Sequence, residues 1–295
     1  MLEIAPGSGP GVIAHALARM GAVRHPLLFR LAARLSGLDR SLKAGEYALA
    51  PGQSVRSLLA MMHEGRVLLH RVTLSEGLTS RQIVAILEAS EGLAGPASAI
   101  PPEGTLLPET YYYRRGETVD AVLARMHEAQ NALLAALWPE RTPGLPFSQP
   151  QEAIILASIV EKETGRPEER PLVASVFINR LKRGMRLQSD PTVIYGVTGG
   201  EPLGRPIRKS ELAAESGYNT YRLDGLPPTP IANPGAAAIR ATLMPAESDW
   251  LYFVADGTGG HVFAATLEAH NRNVAAWRAR RRAIPSEAPD EGSNR

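Results

Sequence analysis

Three carboxylates carry the strongest signals for chemistry. Glu161 and Glu163 sit in the apolar stretch Glu152 to Thr164, which the spacing predicts as a helix stopped at Gly165 and Pro167. Residues three and four apart share a helix face. Glu163 therefore stacks with Ile155, Leu156, Ile159 and Val160 on the apolar side. Glu161 points about 200° away, with Ala157 and Ser158. Glu163 is thus the carboxylate expected to be partly buried. It also lies in the last turn, where the helix dipole disfavours negative charge. Both effects raise a carboxyl pKa, which is what a general acid needs near neutral pH. The plainer alternative is a helix-end glutamate paired with Arg166, Arg170 or Arg180. A second carboxylate for glycoside chemistry would be Asp190, in Gln188-Ser189-Asp190-Pro191-Thr192. Aspartate before proline is also a common turn former.

Other chemistries find less support. With no cysteine, disulfides, thiolate zinc sites and cysteine nucleophiles are excluded. The seven histidines show no metal-ligand spacing. No Gly-x-Ser-x-Gly elbow is present, and the sequence carries no sign of a cofactor. Asp256-Gly257-Thr258-Gly259-Gly260-His261 follows a strand but opens no helix, so it reads as a hairpin turn and not a phosphate loop. A net charge of +2 gives no global argument for nucleic acid. The basic run Arg278, Arg280, Arg281, Arg282 reads as a solvated helix end.

The elements that must position these residues belong to an α+β chain. At 44% hydrophobic residues, 295 residues suffice for a sizeable core and two domains. Residues 1–100 carry a repeat whose copies begin Ala5-Pro6-Gly7, Ala50-Pro51-Gly52 and Ser75-Glu76-Gly77. Each glycine is followed at fixed offsets by apolar residues: Ile13, Leu58, Ile83, then Leu17, Met62, Leu87. Each copy reads as a strand, a glycine turn and an amphipathic helix. Glu46 to Leu49 and His70 to Leu74 supply strands, and Thr79 with Gln82 a capping box. Residues 101–147 form a connecting segment. It holds Tyr111-Tyr112-Tyr113, suited equally to sugar stacking or a domain interface, and a helix from Val119 to Leu137. The run Pro139 to Pro150, with four prolines and one glycine, marks a boundary.

Residues 148–282 form a mixed α/β domain. After the helix bearing Glu163 come a helix from Pro171 to Arg183, an extended Met185 to Ser189, a turn at Asp190-Pro191, and Thr192 to Tyr195. A long irregular segment runs from Gly199 to Pro234 and suggests function. A helix from Pro234 to Leu243, a hairpin of Trp250 to Ala255 with His261 to Ala265, and a helix from Leu267 to Arg282 follow, then a polar tail, 283–295. Val12 to Leu38 is too charged for a membrane span, and Met1-Leu2-Glu3 does not open a cleavable signal.

Several stretches together resemble the endolytic murein transglycosylase (YceG-like) family. They are Leu156-Ala157-Ser158-Ile159-Val160-Glu161-Lys162-Glu163-Thr164, Val173 to Leu181, and Gly184 through Ser189-Asp190-Pro191 to Gly196. Tyr218-Asn219-Thr220-Tyr221, Gly225 to Pro228 with Ile231 to Gly235, Leu251 to Gly257 with Gly260-His261 and Phe263, and Glu103-Gly104 with Leu107 to Tyr111 extend the likeness over almost the whole chain. The resemblance implies a LysM-like N-terminal part and a catalytic part with one essential glutamate. That glutamate is followed by a hydroxyl residue in lytic transglycosylases, which Glu163-Thr164 fits and Glu161-Lys162 does not; Glu161 is the second choice. Asn179, Asn219, Tyr221 and Asp190 lie in the family motifs and are the expected substrate contacts.

The implied reaction cuts the bond between N-acetylmuramic acid and N-acetylglucosamine in peptidoglycan glycan strands and leaves an anhydro-muramyl end. The resemblance also implies attachment to the cytoplasmic (inner) membrane by a single N-terminal helix that is not among these residues, with the enzyme on the outer side, and wall synthases as partners. Two alternatives stand beside it: a hydrolase using Glu163 with Asp190 and water, and a non-catalytic peptidoglycan-binding scaffold.

Overall fold

The structure, a computed structural model, describes residues 1–283. The chain starts with β1 (Leu2–Ile4), α1 (Pro10–Arg19), α2 (Pro26–Leu35), β2 (Gly45–Tyr47) and α3 (Val55–Glu64). It continues through β3 (His70–Thr73), α4 (Ser80–Glu88), β4 (Thr110–Tyr113) and α5 (Val119–Leu137). Then come α6 (Pro150–Glu163), α7 (Arg170–Lys182), α8 (Asp190–Thr198), α9 (Lys209–Ala213), α10 (Ala236–Leu243), β5 (Tyr252–Ala255), β6 (His261–Ala264) and α11 (Leu267–Ala283). Helices with small antiparallel strand pairs, β1–β2, β3–β4 and β5–β6, make this an α+β fold.

The three repeat copies fold alike. Gly7, Gly52 and Gly77 take left-handed φ values of 78°, 78° and 76°, which glycine adopts without a Cβ clash. The apolar positions Ile13, Leu17, Leu58, Met62, Ile83 and Leu87 are all buried. The third copy has the expected cap: the Thr79 N–H donates to Gln82 Oε1 (3.0 Å) and the Gln82 N–H to Thr79 Oγ1 (3.2 Å). Three elements were not foreseen: α2, β4 and the short α9, which lies inside the segment expected to be irregular from Gly199 to Pro234. The exposed leucines of α2 hide its buried Phe29 and Ala33 in the sequence pattern. The tyrosine run is strand β4, registered against β3 with Val72 opposite Tyr111.

Two compact units cut across the boundaries expected from composition. The first comprises Met1–Leu74, Ile83–Ile100 and Thr110–Arg125. The second comprises Ser75–Gln82, Pro101–Glu109 and everything from residue 126 onward. The proline-rich run at 139–150 therefore lies inside the second unit. Asn233 explains why two short upstream segments belong there. Its Nδ2 donates to the Leu78 carbonyl (3.2 Å), Ser80 Oγ (3.0 Å) and Glu103 Oε2 (3.3 Å), and its Oδ1 accepts from the Leu106 N–H (3.1 Å).

The core of the second unit is α6 against α7 and α10, filled by Leu156, Ile159, Val160, Val173, Phe177, Ile239 and Leu243. The expected turn at Asp190-Pro191 is instead the start of a helix, α8, which takes in Thr192 to Tyr195. Proline suits the first helical turn, where its missing N–H has no partner to lose. The hairpin and α11 lie where expected. Of the expected tail, only Ala283, which closes α11, is among the described residues.

Candidate functional site

Glu163 is the last residue of α6. Part of its surface stays open to solvent, yet its carboxyl is densely surrounded, and burial pushes its pKa up to about 7. The Ser189 hydroxyl, donating to Glu163 Oε1 at 2.5 Å, opposes that rise; the charge of Asp190 adds to it, and His261 and Arg180 reduce it from further off. The expected alternative, a pairing with Arg166, Arg170 or Arg180, is not realised among the described residues. Arg166 donates to the Thr258 carbonyl, Arg170 binds Glu76 and Glu161, and Arg180 donates to the carbonyls of Leu251 and Leu187.

Glu161 corrects one expectation. It too is buried, its side chain only 5% exposed, so burial does not distinguish the two glutamates. Partners do. Glu161 accepts from Arg170 (3.1 Å) and from the Gly235 N–H (3.0 Å) at the start of α10. A buried carboxylate so matched is fixed structure. Glu163, two positions on, has a hydroxyl donor and no cation in contact among the described residues, and burial raises its pKa to about 7.

Ser189 is a residue that sequence reasoning passed over. It is the N-cap of α8, where a serine side chain ordinarily accepts from the first turn. Here it makes no capping bond and its hydroxyl turns to Glu163. Its backbone is held by Thr220, whose Oγ1 accepts the Ser189 N–H (2.9 Å), and by Thr192, whose Oγ1 donates to the Ser189 carbonyl (2.7 Å). Gln188 just before it has φ 53°, unlike every other described non-glycine residue; strain of this kind concentrates at functional sites. The available signal was a serine before Asp-Pro, a helix-start pattern.

The remaining expected residues divide. Asp190 is exposed beside Glu163, and Tyr221 Oη donates to Asp190 Oδ1 (2.6 Å). Burial, then that bond, hold the Tyr221 hydroxyl protonated by raising its pKa. Asn219 is 1% exposed; its Nδ2 donates to the carbonyls of Glu211, Leu212 and Ala214, and its Oδ1 accepts from the Tyr221 N–H (3.0 Å). Its Nδ2 hydrogens are taken by those carbonyls, and through its Oδ1 it fixes the Tyr221 backbone. Asn179 likewise donates to the carbonyls of Ser248 (2.8 Å) and Trp250 (3.0 Å) and holds the approach to the hairpin. Thr164, after Glu163, is buried and donates to Glu169 Oε2 (3.1 Å). Glu169 also accepts from the His261 N–H (2.9 Å) and contacts its Nδ1 (2.7 Å), which sets the hairpin turn beside the end of α6.

The site thus brings together a carboxyl raised to about 7, a hydroxyl donor to it, and the neighbouring Asp190–Tyr221 hydrogen bond. A sequence model of the YceG-like family matches residues 2–276, and the chain belongs to that family. Similar curated proteins are the endolytic murein transglycosylases of Streptococcus pneumoniae, 31% identical over 92% of this chain and 57% of theirs. That of Bacillus subtilis is 29% identical over 92% of this chain and 82% of its own. The chain thus spans little more than half the length of the Streptococcus proteins. A crystal structure of a yceG-like protein from Listeria monocytogenes superposes with a TM-score of 0.56 at 30% identity, covering 92% of this chain and 97% of that one.

Proposed function

We propose that this chain is an endolytic peptidoglycan lytic transglycosylase, a carbon–oxygen lyase, with Glu163 as its acid and base. The observation that carries the reading is the unpaired Glu163 carboxyl at about 7, beside a glutamate locked to Arg170. Protonated Glu163 gives its proton to the glycosidic oxygen as the bond to muramyl C1 breaks. The resulting carboxylate takes the proton of the same sugar's C6 hydroxyl as that oxygen bonds to C1. The proton count closes on one residue, and no water enters. The nucleophile is tethered to its electrophile, which gives it a high effective concentration. Ser189 steadies the carboxylate between the two transfers, and Tyr221 with Asp190 faces the sugar from the open side.

Hydrolysis is the second reading, favoured by Asp190, an exposed carboxylate near enough to raise the Glu163 pKa. The order β1-α1-α2-β2 with paired antiparallel strands is consistent with a LysM-like glycan-binding part. Location at the cytoplasmic membrane and contact with wall synthases belong to this proposal through the family; no helix among the described residues is long and apolar enough to cross a membrane. Mass spectrometry of fragments released from purified peptidoglycan by the protein and by Glu163→Gln tests the reading. Anhydro-muramyl ends from the first and none from the second are expected. Reducing ends would shift the assignment to hydrolysis with Asp190.

A further inference from the structure

Arg180, on α7, is 7% exposed, and no carboxylate pairs with it among the described residues. A buried guanidinium without an ion partner is costly. Its Nε and Nη1 serve the backbone. Nε donates to the carbonyl of Leu251 (2.6 Å), the residue before β5. Nη1 donates to the Leu187 carbonyl (2.7 Å), with the Arg186 carbonyl (3.3 Å) and Gln188 Oε1 (3.4 Å) also in reach. The fork therefore ties the start of the hairpin to residues 186–188, the chain that delivers Ser189. The Tyr252 ring, its centroid 5.2 Å from Arg180 Cζ, helps to hold the fork in place.

That chain needs holding. Gln188 has φ 53° without being glycine, a conformation that strains an L-residue. Thr220 secures it too: its carbonyl accepts the Gln188 N–H (3.1 Å) and its Oγ1 the Ser189 N–H (2.9 Å). Residues 187–189 are thus gripped by Arg180 and Thr220 at the point where the Ser189 hydroxyl reaches Glu163 Oε1. Released by Arg180, Gln188 would relax toward ordinary backbone angles. Ser189 would then be free to take the capping role that its place before α8 offers and that it does not fill. We infer that Arg180 is a positioning residue of this site: by gripping Leu187 and Gln188 it keeps the Ser189 hydroxyl on Glu163, and so sets how readily that carboxyl gives and takes a proton. The inference rests on the reading of Glu163 as acid and base for its effect on rate. Lysine carries the same charge without the fork, so charge and grip can be separated.

The test is a carbon-13 NMR titration of the Glu163 side-chain carboxyl in the whole chain, assigned by its absence from Glu163→Gln. It reads the proton equilibrium with no substrate present. The unmutated protein should titrate at about 7. Ser189→Ala should raise the midpoint, because a hydrogen bond to the charged form is lost. Arg180→Lys should raise it by about half as much or more, and should add nothing in the Ser189→Ala background. On purified peptidoglycan Arg180→Lys should lower kcat about tenfold with KM unchanged. An unmoved midpoint in Arg180→Lys, or the same shift with and without Ser189, overturns the inference; the first would mean that only the charge matters, the second that Arg180 does not act through Ser189. Should thermal melting show that Arg180→Lys does not fold, Gln188→Gly loosens the same segment without touching α7, and a midpoint unmoved there overturns the inference as well. A failure of the lytic reading is seen separately, as the absence of anhydro ends from the unmutated protein, and leaves the titration to decide the role of Arg180.

Discussion

Replacing Glu163 with glutamine should make the protein more stable above neutral pH. The folded carboxyl titrates at about 7, against an ordinary value of 4.5. Between those values the folded protein holds a proton that the unfolded chain has released, so stability falls as pH rises through the window. The stabilisation is complete below 4.5 and gone above about 7. The gap corresponds to about 3 kcal/mol, and solvent on the open side of the residue trims it toward about 2 kcal/mol. Glutamine carries no titrating proton and keeps a hydrogen-bonding partner for Ser189. Urea unfolding of both proteins across this range should give similar free energies at the acid end. The variant should pull ahead by about 2–3 kcal/mol at the alkaline end, a large share of a typical total of about 5–15 kcal/mol. A difference that stays flat with pH, or a glutamine variant less stable at alkaline pH, would refute the desolvated-carboxyl account.

Ser189→Ala removes the bond that favours the Glu163 carboxylate; the alkaline fall of the fragment-release rate should move to higher pH while the maximal rate drops. Asp190→Asn removes a neighbouring negative charge, so the same limb should move to lower pH, measured by the same rate profile. Glu161→Gln leaves Arg170, whose side chain is 9% exposed, short of a buried partner and should cost about 3–5 kcal/mol in urea unfolding; the fraction still folded should keep the parent's pH profile. Gly104→Ala places a Cβ within 2.6 Å of Pro230 and 2.8 Å of Ile154 at a φ of 76°, and calorimetry should register a loss of about 1–3 kcal/mol.

Glu163 was legible because its burial follows from helix periodicity within one segment. The repeat helices, α5, α6, the hairpin and α11 were legible for the same local reason. Glu161 was not, because its burial depends on Arg170 from the next helix and on Gly235, 74 positions along the chain. The start of α8 was misread since Asp-Pro opens turns and helices alike, and only packing of Thr192 and Val193 into the core separates the two. That the Nδ2 groups of Asn219 and Asn179 hold backbone carbonyls was not legible, because an amide in a motif does not reveal its partners far along the chain. The pairing of β3 with β4 joins residues 37 positions apart at Thr73 and Thr110, a separation that no periodicity encodes.

Glu163 and the apolar pair Ile154–Ile155 belong to one uninterrupted helix, Pro150–Glu163, with proline only at its first position. That helix acts as a ruler. The interval between Ile155 and Glu163 is set by helical rise, and no loop adjusts it. Inserting a single alanine between the two would lengthen the interval by about 1.5 Å and rotate one end against the other by about 100°. The register of Glu163 against the first turns of its helix is thus written into the residue count of α6.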